Sequence, residues 1–378
     1  MAKPVRLVDV ARQVGLSEAT VSLALNGKPQ VNPATRRRVV EAARRMGYLP
    51  NAAARSLARA ASGRIGLIVP DLANPYYGLL AQQVGRQVAR RGYGLLLVSP
   101  DDDGTAEADL VDQLISDRVD GVLIAPSASA QTVAAYTERL AAYAVRYLFV
   151  CAGVPGLELP VVMGDLEQGA YLMADHLLGL GHERLRLIGV PAGAPTAHRL
   201  AGVRRAYAAR GMTPPANLLL PCREASFLAA YETVRALEPL PEALMAINDV
   251  MALGALRALT ERGIAVPGRV SLAGYDDVAF SATAATPLST VAQNLPALAD
   301  RAVERLLEMI GAGAQQPVSE RIAPHLVVRA STGPRPEPPE LSPAAGPRPE
   351  PQALSPSTGP RLAAGPRPAA QEIPPCVS

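Results

Sequence analysis

The chain has 378 residues, 49% of them hydrophobic, enough for two or three domains with their own cores at roughly 100–200 residues each. Cys151, Cys222 and Cys376 are far apart and share no ligand spacing with the four histidines, so neither a disulfide framework nor a metal site is expected, and no motif asks for a cofactor. No run of about 18 uncharged apolar residues occurs, and the opening MAKPVRLVDVARQVG has no apolar stretch behind its basic residues; a chain that neither spans a membrane nor is exported, and stays cytoplasmic, is the expectation.

Net charge is +3, but it is unevenly placed. Residues 1 to 60 hold 11 Lys and Arg against 3 Asp and Glu, and the remainder holds 26 against 31. A basic head on an acidic body suits a head that meets a polyanion such as DNA.

The head reads as three short helices. Val8 to Val14 turns Val10, Ala11 and Val14 to one face and breaks at Gly15; Ser17 can cap a second helix running to about Leu25. The third has Asn32 as cap and Pro33 at its first position, turns Val39, Val40, Ala43 and Met46 inward, and stops at Gly47. From Leu7 to Gly27 the spacing is that of a helix-turn-helix: small Ala11 where helices cross, Gly15 in the turn, Val10, Leu16, Val21 and Ala24 inward. Glu18, Ala19, Ser22, Leu23 and Asn26 are left facing outward. A purely structural helical hairpin has the same spacing, and the third helix and the basic charge favour the DNA-binding reading.

From Arg64, β-rich runs alternate with amphipathic helices: RIGLIV at 64, GLLLV at 94, DGVLIA at 120, RYLFV at 146, RLRLIG at 184, ALMAI at 243 and RVSLAG at 269. This predicts parallel α/β architecture. About 270 residues exceed one core, and the series restarts near Val161, so two doubly wound lobes are expected. Ligands of open α/β sheets bind beyond the carboxyl ends of strands, which with two lobes is the cleft between them. Asp71, Asn74, Tyr76, Tyr77, Arg199, Asn248, Asp249, Asp276 and Asp277 fall there. Asn248 and Asp249 suit a helix cap equally well, Asn74-Pro75 suits a turn, and Phe227 is either an aromatic lid or a core residue. After Thr332 the chain becomes Pro- and Arg-rich with a recurring AGPRP unit, the composition of a disordered or polyproline tail.

The stretches DVARQVGLSEATVSLALNG and VNPATRRRVVEAARRMGYLPNAAARSLA, then RIGLIVPDLANPYYGLLA, HLLGLGHERLRLIG, RLAGVRRA, INDVMALGAL and SLAGYDDV, resemble the LacI/GalR family of bacterial repressors over about residues 1 to 330. The resemblance implies a small all-α helix-turn-helix head at 1–50, a hinge helix at 51–61, and a body at 62–331 of two doubly wound parallel-sheet lobes, periplasmic-binding-protein-like, with the tail at 332–378. It implies a homodimer on pseudo-palindromic double-stranded operator DNA, and a small-molecule effector in the cleft controlling affinity. The DNA-facing set is then Ser17, Glu18, Ala19, Thr20, Ser22, Leu23 and Asn26, with Arg36 and its neighbours Arg37 and Arg38 on phosphates or simply solvated. Asn51, Ala54 and Leu57 fall in the hinge, where Leu57 is either a minor-groove wedge or the first core residue of the body. The effector set is Asp71, Tyr76, Tyr77, Arg199, Phe227, Asn248, Asp249 and Asp276.

Two departures from the family pattern matter. Leu23 stands where an arginine often reads guanine, and Cys151 with Ala152 stands where sugar-responsive members often have Asp and Arg. A sugar or related metabolite is the first expectation, with nucleoside-like ligands open. A solute receptor of the same architecture is the alternative; an enzyme is not expected, because no phosphate-cradling, nucleophile-elbow or metal-protease motif occurs. Without heptad leucines in the tail a dimer is expected, joined by surfaces such as the helix carrying Leu79, Leu80, Val84 and Val88, unless that helix is internal.

Overall fold

The computed structural model describes residues 5–25, 28–48, 61–100, 104–191 and 194–335. All lie in the first of two compact units, Met1–Pro336. The tail beyond Pro336, the hinge residues Asn51, Ala54 and Leu57, and Asn26 fall outside the described residues.

The head contains α1 (Leu7–Val14), α2 (Glu18–Leu25) and α3 (Pro33–Met46). Each boundary has a local cause. Asp9 accepts the Arg6 backbone N–H at 2.9 Å, the Ser17 hydroxyl accepts the Thr20 N–H at 3.1 Å, and Asn32 accepts the Ala34 N–H at 2.8 Å, each satisfying a donor that a helix start leaves free. Gly15 and Gly47 close α1 and α3 in the left-handed conformation, at φ 68° and 67°. Val10, Ala11, Val21, Ala24, Val31, Val39 and Ala43 pack into one small core. Val40, expected inside, lies exposed on α3, and Ala42 is buried in its place.

The body runs β1 (Arg64–Ile68), α4 (Pro75–Arg90), β2 (Gly94–Val98), α5 (Gly104–Ser116), β3 (Gly121–Ile124), α6 (Ala130–Ala142), β4 (Arg146–Val150) and β5 (Val161–Gly164), followed by α7 (Leu166–Gly179), β6 (Leu185–Gly189), α8 (Ala194–Ala209), β7 (Leu219–Pro221), α9 (Phe227–Arg235), β8 (Ala243–Ala246), α10 (Asp249–Glu261) and β9 (Ser271–Ala273). It ends with α11 (Ala279–Thr283), β10 (Thr290–Ala292), α12 (Leu295–Ala312), β11 (Ser319–Ile322) and β12 (His325–Val327). Two parallel sheets result, of order β11-β5-β4-β3-β1-β2 and β7-β6-β8-β9, with β10 and β12 as an antiparallel pair. The first sheet is covered on both faces because its strands alternate. Ile65, Leu67, Leu123, Leu148 and Val150 enter one core with α4 and α12, while Ile68, Val122, Ile124 and Phe149 enter the other with α5 and α6. One core around β6, β8 and β9 serves the second lobe.

The second lobe does not begin at Val161. β5 pairs with β4 in the first sheet, and the chain then crosses between lobes three times, at 164–166, 292–295 and 322–325, because α12 and β11 return to the first lobe and β12 goes back to the second. Nor does the body stop at 331. The Gly333 carbonyl lies 2.9 Å from His182 Nε2, the Arg335 N–H donates to the Leu180 carbonyl at 2.9 Å, and the Arg335 guanidinium pairs with Glu183 and Glu242. Leu80, Val84 and Val88 of α4 are buried in the first-lobe core, so they are not a dimer surface; the same periodicity marks a face for either use.

Candidate functional site

In the head, α2 buries Val21 and Ala24 and turns Glu18, Ala19 and Leu23 to solvent, Leu23 being 38% exposed. Thr20 and Ser22 are half-buried, and the Ser17 and Thr20 hydroxyls are 2.8 Å apart. Arg36 donates to the Lys28 carbonyl at 2.6 Å and Arg38 to the Val14 carbonyl at 2.9 Å, so both brace the head internally. Among the described head residues Arg6, Arg12, Lys28, Arg37, Arg38, Arg44 and Arg45 are the exposed cations.

In the body, the strand ends of the two lobes enclose a cavity of about 180 Å³. Asp71, Asn74, Tyr76, Tyr77, Arg199, Asn248 and Asp276 line it, as does Gln293, which sequence reasoning missed. Cys151 and Ala152, noted only as departures, are there as well. Helix starts place several of these: Asn74 caps α4 by accepting the Tyr76 N–H at 3.0 Å, and Asn248 caps α10 by accepting the Met251 N–H at 2.8 Å, so capping and cleft-lining coexist. Tyr76 donates to the Cys151 sulfur at 3.4 Å and meets Tyr77 edge to face at 5.3 Å. Cys151, Asp276 and Asp277 all have positive φ, 70°, 112° and 56°, backbone that such residues adopt at a cost and that clusters at binding sites.

Three expected residues are not in the cavity wall: Asp277, which pairs with Arg329 at 2.6 Å, Asp249 and Phe227. Asp249 is fully buried in the second lobe: Oδ2 accepts the Val278 N–H at 2.9 Å and Oδ1 the Thr290 hydroxyl at 2.7 Å. It holds together the start of α10, the approach to α11, and β10. Phe227 is the first residue of α9, 43% exposed, and neither a lid on the cavity nor core.

Burial dominates the electrostatics. It pushes the Asp276 carboxyl up to about 8, Asp249 up to about 6 and the Cys151 thiol up to about 12, since a charge loses hydration there. Arg199 lies 4.0 Å above the Tyr275 ring, and Gln293 donates to Asp276 at 2.6 Å. For Asp276 the pH consequence has a definite sign. A carboxyl whose folded pKa exceeds its unfolded value near 3.8 binds more protons when folded, so its contribution to stability is present at low pH and is lost as pH rises from about 4 to 8, at up to about 1.4 kcal/mol per unit. Asp276→Asn is therefore expected to gain stability relative to the parent chain across that window. Urea melts at pH 5 and 8 check this; a stability difference independent of pH would refute it.

Helix-turn-helix head and two-lobed α/β body with a polar cleft together define a DNA-binding regulator of the ligand-responsive kind. Residues 6–51 match the bacterial regulatory proteins, lacI family, and 174–332 match a periplasmic binding protein-like domain. The chain is 34% identical to the HTH-type transcriptional regulator MalR of Streptomyces coelicolor over 346 residues, covering 88% of this chain and 97% of that one. A lac repressor dimer bound to operator and the anti-inducer ONPF superposes with a TM-score of 0.76 at 29% identity, over 88% of this chain and 100% of that one. A complex of the transcriptional regulator CelR with cellobiose gives 0.65 at 28%, over 86% and 99%.

The chain belongs to the LacI family and is a helix-turn-helix transcriptional regulator. Among the described residues no helix is long and apolar enough to cross a membrane, and no group of His, Cys, Asp and Glu is arranged to hold a metal ion.

Proposed function

We propose that the protein works as a homodimer, that α2 of each subunit enters the major groove of one operator half-site, and that a small polar metabolite of the sugar class in the cleft sets the affinity for DNA. The observation that carries the effector reading is the link between Asp276 and Gln293. Asp276 faces the cavity, and its partner Gln293 lies at the second crossing and packs against Gly164 at the first, where an added Cβ would come 2.6 Å from Gln293 Oε1. A ligand that engages Asp276 thus acts on the strands that set the angle between lobes, and it shifts the equilibrium by its differential affinity for the two arrangements. The sugar class is supported by the hydroxyl-matching set of Asn248, Asp276 and Gln293 and by the cellobiose-bound relative.

On DNA, Ala19 and Leu23 suit apolar contact with thymine methyls, and Arg37, Arg44 and Arg45 suit phosphates. The proposed hinge roles of Asn51, Ala54 and Leu57 rest on the family pattern alone. Phe227, Leu228 and Phe280, left exposed on the second lobe, are the apolar surface offered to the second subunit. The body acts as a sensor, its two-lobed architecture being that of the ligand-bound regulators it resembles.

In-vitro selection of genomic fragments by the full chain tests this. Enriched DNA is expected to contain two inverted half-sites, and a sugar that raises the melting temperature is expected to change its mobility shift. At 100 times its dissociation constant such a ligand stabilises by about 2.7 kcal/mol. Recovery of DNA without a shared sequence, or a stabilising ligand that leaves the shift unchanged, would exclude the corresponding half of the proposal.

A further inference from the structure

Ser331–Arg335, the last five described residues, fill a slot on the second lobe and are bonded to it along their length. The Ser331 hydroxyl, fully buried, donates to the Leu272 carbonyl at 2.5 Å and accepts the Ser289 N–H at 2.8 Å. The Thr332 hydroxyl lies 3.0 Å from His176 Nε2 and 2.8 Å from the Ser289 hydroxyl. Gly333 gives its N–H to the Ser271 hydroxyl at 3.1 Å, and a Cβ there would come 3.1 Å from Pro267 Cγ. Pro334 has no N–H to satisfy. Arg335 spans two carboxylates, Nη1 on Glu183 at 2.9 Å and Nη2 on Glu242 at 3.0 Å, and the Glu242 side chain is only 4% exposed. Charged hydrogen bonds of this kind are stronger than neutral ones.

The same five residues recur in the same order at Ser357–Arg361, 26 residues further on. Gly-Pro-Arg also recurs at 346–348 and 365–367, but behind Ala-Ala, without the two hydroxyls that reach Leu272, Ser289 and His176. Neither the DNA-binding head nor the effector cleft uses this repeat. We propose that the slot is a peptide-recognition site reading Ser-Thr-Gly-Pro-Arg, with Ser331–Arg335 as its resident ligand and Ser357–Arg361 of a second copy of this chain as its exchange ligand.

Identical sequence offers identical contacts, so connectivity decides which unit holds the slot. The resident unit is continuous with the lobe and closes no loop. Entry by the second unit of the same chain closes a loop of about 26 residues, a factor on the order of 100 against it for a flexible chain. Eight of the 21 residues from 336 to 356 are prolines, which stiffen a spacer and add to that cost. A second copy closes no such loop and enters by mass action. Exchange is therefore populated once the resident unit is weakened, and Arg361 then brings to Glu183 and Glu242 the charge that Arg335 gives up.

Fluorescence anisotropy of a labelled Ser-Thr-Gly-Pro-Arg-Leu peptide, the sequence of residues 357–362, tests the inference on full-length chains. The Arg335→Asp chain, whose new carboxylate faces Glu183 and Glu242, is expected to bind the peptide at least about tenfold tighter than the parent chain, whose slot is filled. The same peptide with Glu in place of Arg should not bind. Sedimentation of Arg335→Asp should show an association that grows with concentration and is lost when Arg361→Asp is added. Equal binding by the parent and Arg335→Asp, equal binding of the Glu peptide, or no binding to either chain would overturn the site. A peptide admitted to Arg335→Asp only after Arg361→Asp is added, with no concentration-dependent association, would assign the exchange to a chain's own unit and overturn the second copy. Should Arg335→Asp fail to fold, Arg335→Gln, which keeps the backbone hydrogen bond to Leu180 and adds no charge, is expected to give a smaller gain of the same sign; no gain there would overturn the site as well.

Discussion

A fragment beginning at Ala61 is expected to lose operator binding altogether, a fall of at least about 10³-fold, since specific affinities exceed non-specific ones by that much or more. Residues 1 to 60 hold 11 cationic side chains against 3 acidic ones, whereas the rest of the chain is net acidic at 26 against 31. The head also has a separate hydrophobic core, so the outward face of α2 is built without help from the body. Across the full chain, operator affinity is expected to fall by about 10³-fold or more between roughly 50 and 200 mM salt, as six or more phosphate contacts per dimer would require. A mobility shift by the fragment, or an affinity indifferent to salt, would place DNA binding elsewhere.

The second large effect concerns stability. Gly202→Ala is expected to destabilise the body by about 3 kcal/mol or more, the upper range for overpacking a tight contact. Gly202 lies on α8 where it crosses α7, and an added Cβ would come 2.1 Å from the Glu167 carbonyl oxygen, 2.9 Å from the Tyr171 nitrogen and 3.0 Å from the Ala170 Cβ. The first two are backbone atoms, which cannot turn aside as a flexible side chain does. Gly254 on α10 meets the Phe227 carbonyl of α9 in the same way, at 2.2 Å. Urea melts of Gly202→Ala beside Gly211→Ala serve as the check. Gly211 has open space but φ 66°, so only strain of about 1 kcal/mol is expected there. Equal midpoints for Gly202→Ala and the parent chain would mean that the two helices can separate at no cost.

Local chemistry made the head legible. Ser17, Asn32, Pro33, Gly15 and Gly47 each act within four residues of their own position, so reading caps in order places all three helices. The seven apolar runs of the body are likewise strands β1, β2, β3, β4, β6, β8 and β9; all but the edge strand β2 are largely buried, which leaves a nearly uninterrupted apolar run. Non-local pairing was not legible. β5 belongs beside β4, and β11, with its alternating exposure, sits at the sheet edge beside β5.

The site shows the same division. Asp71, Tyr76, Tyr77, Asn248 and Asp276 follow strands or open helices, Arg199 lies in the second turn of α8, and the cleft brings them together. Asp249 follows a strand too, but as the first residue of α10 it turns inward to Val278 and Thr290, and only the position of β10 reveals that. Gln293 escaped notice because it lies in the short link between β10 and α12, and nothing in its neighbours distinguishes it from a polar surface residue. Leu80, Val84 and Val88 repeat at helical spacing, which is the same whether a face meets its own sheet or another subunit.

The three crossings between lobes also govern how such a chain can be recombined. Neither lobe is one continuous stretch of gene: the first needs residues 61–164 and 295–322, the second 166–292 and 325–335. A single breakpoint anywhere within the body would pair part of one lobe with strands or helices from a foreign parent, and every core contact across that seam would have to be compatible at once. A breakpoint between Tyr48 and Ala61 severs none of these pairings. Heads can therefore be traded between relatives as cassettes, giving one sensor a new operator, while the two halves of a sensor are inherited together.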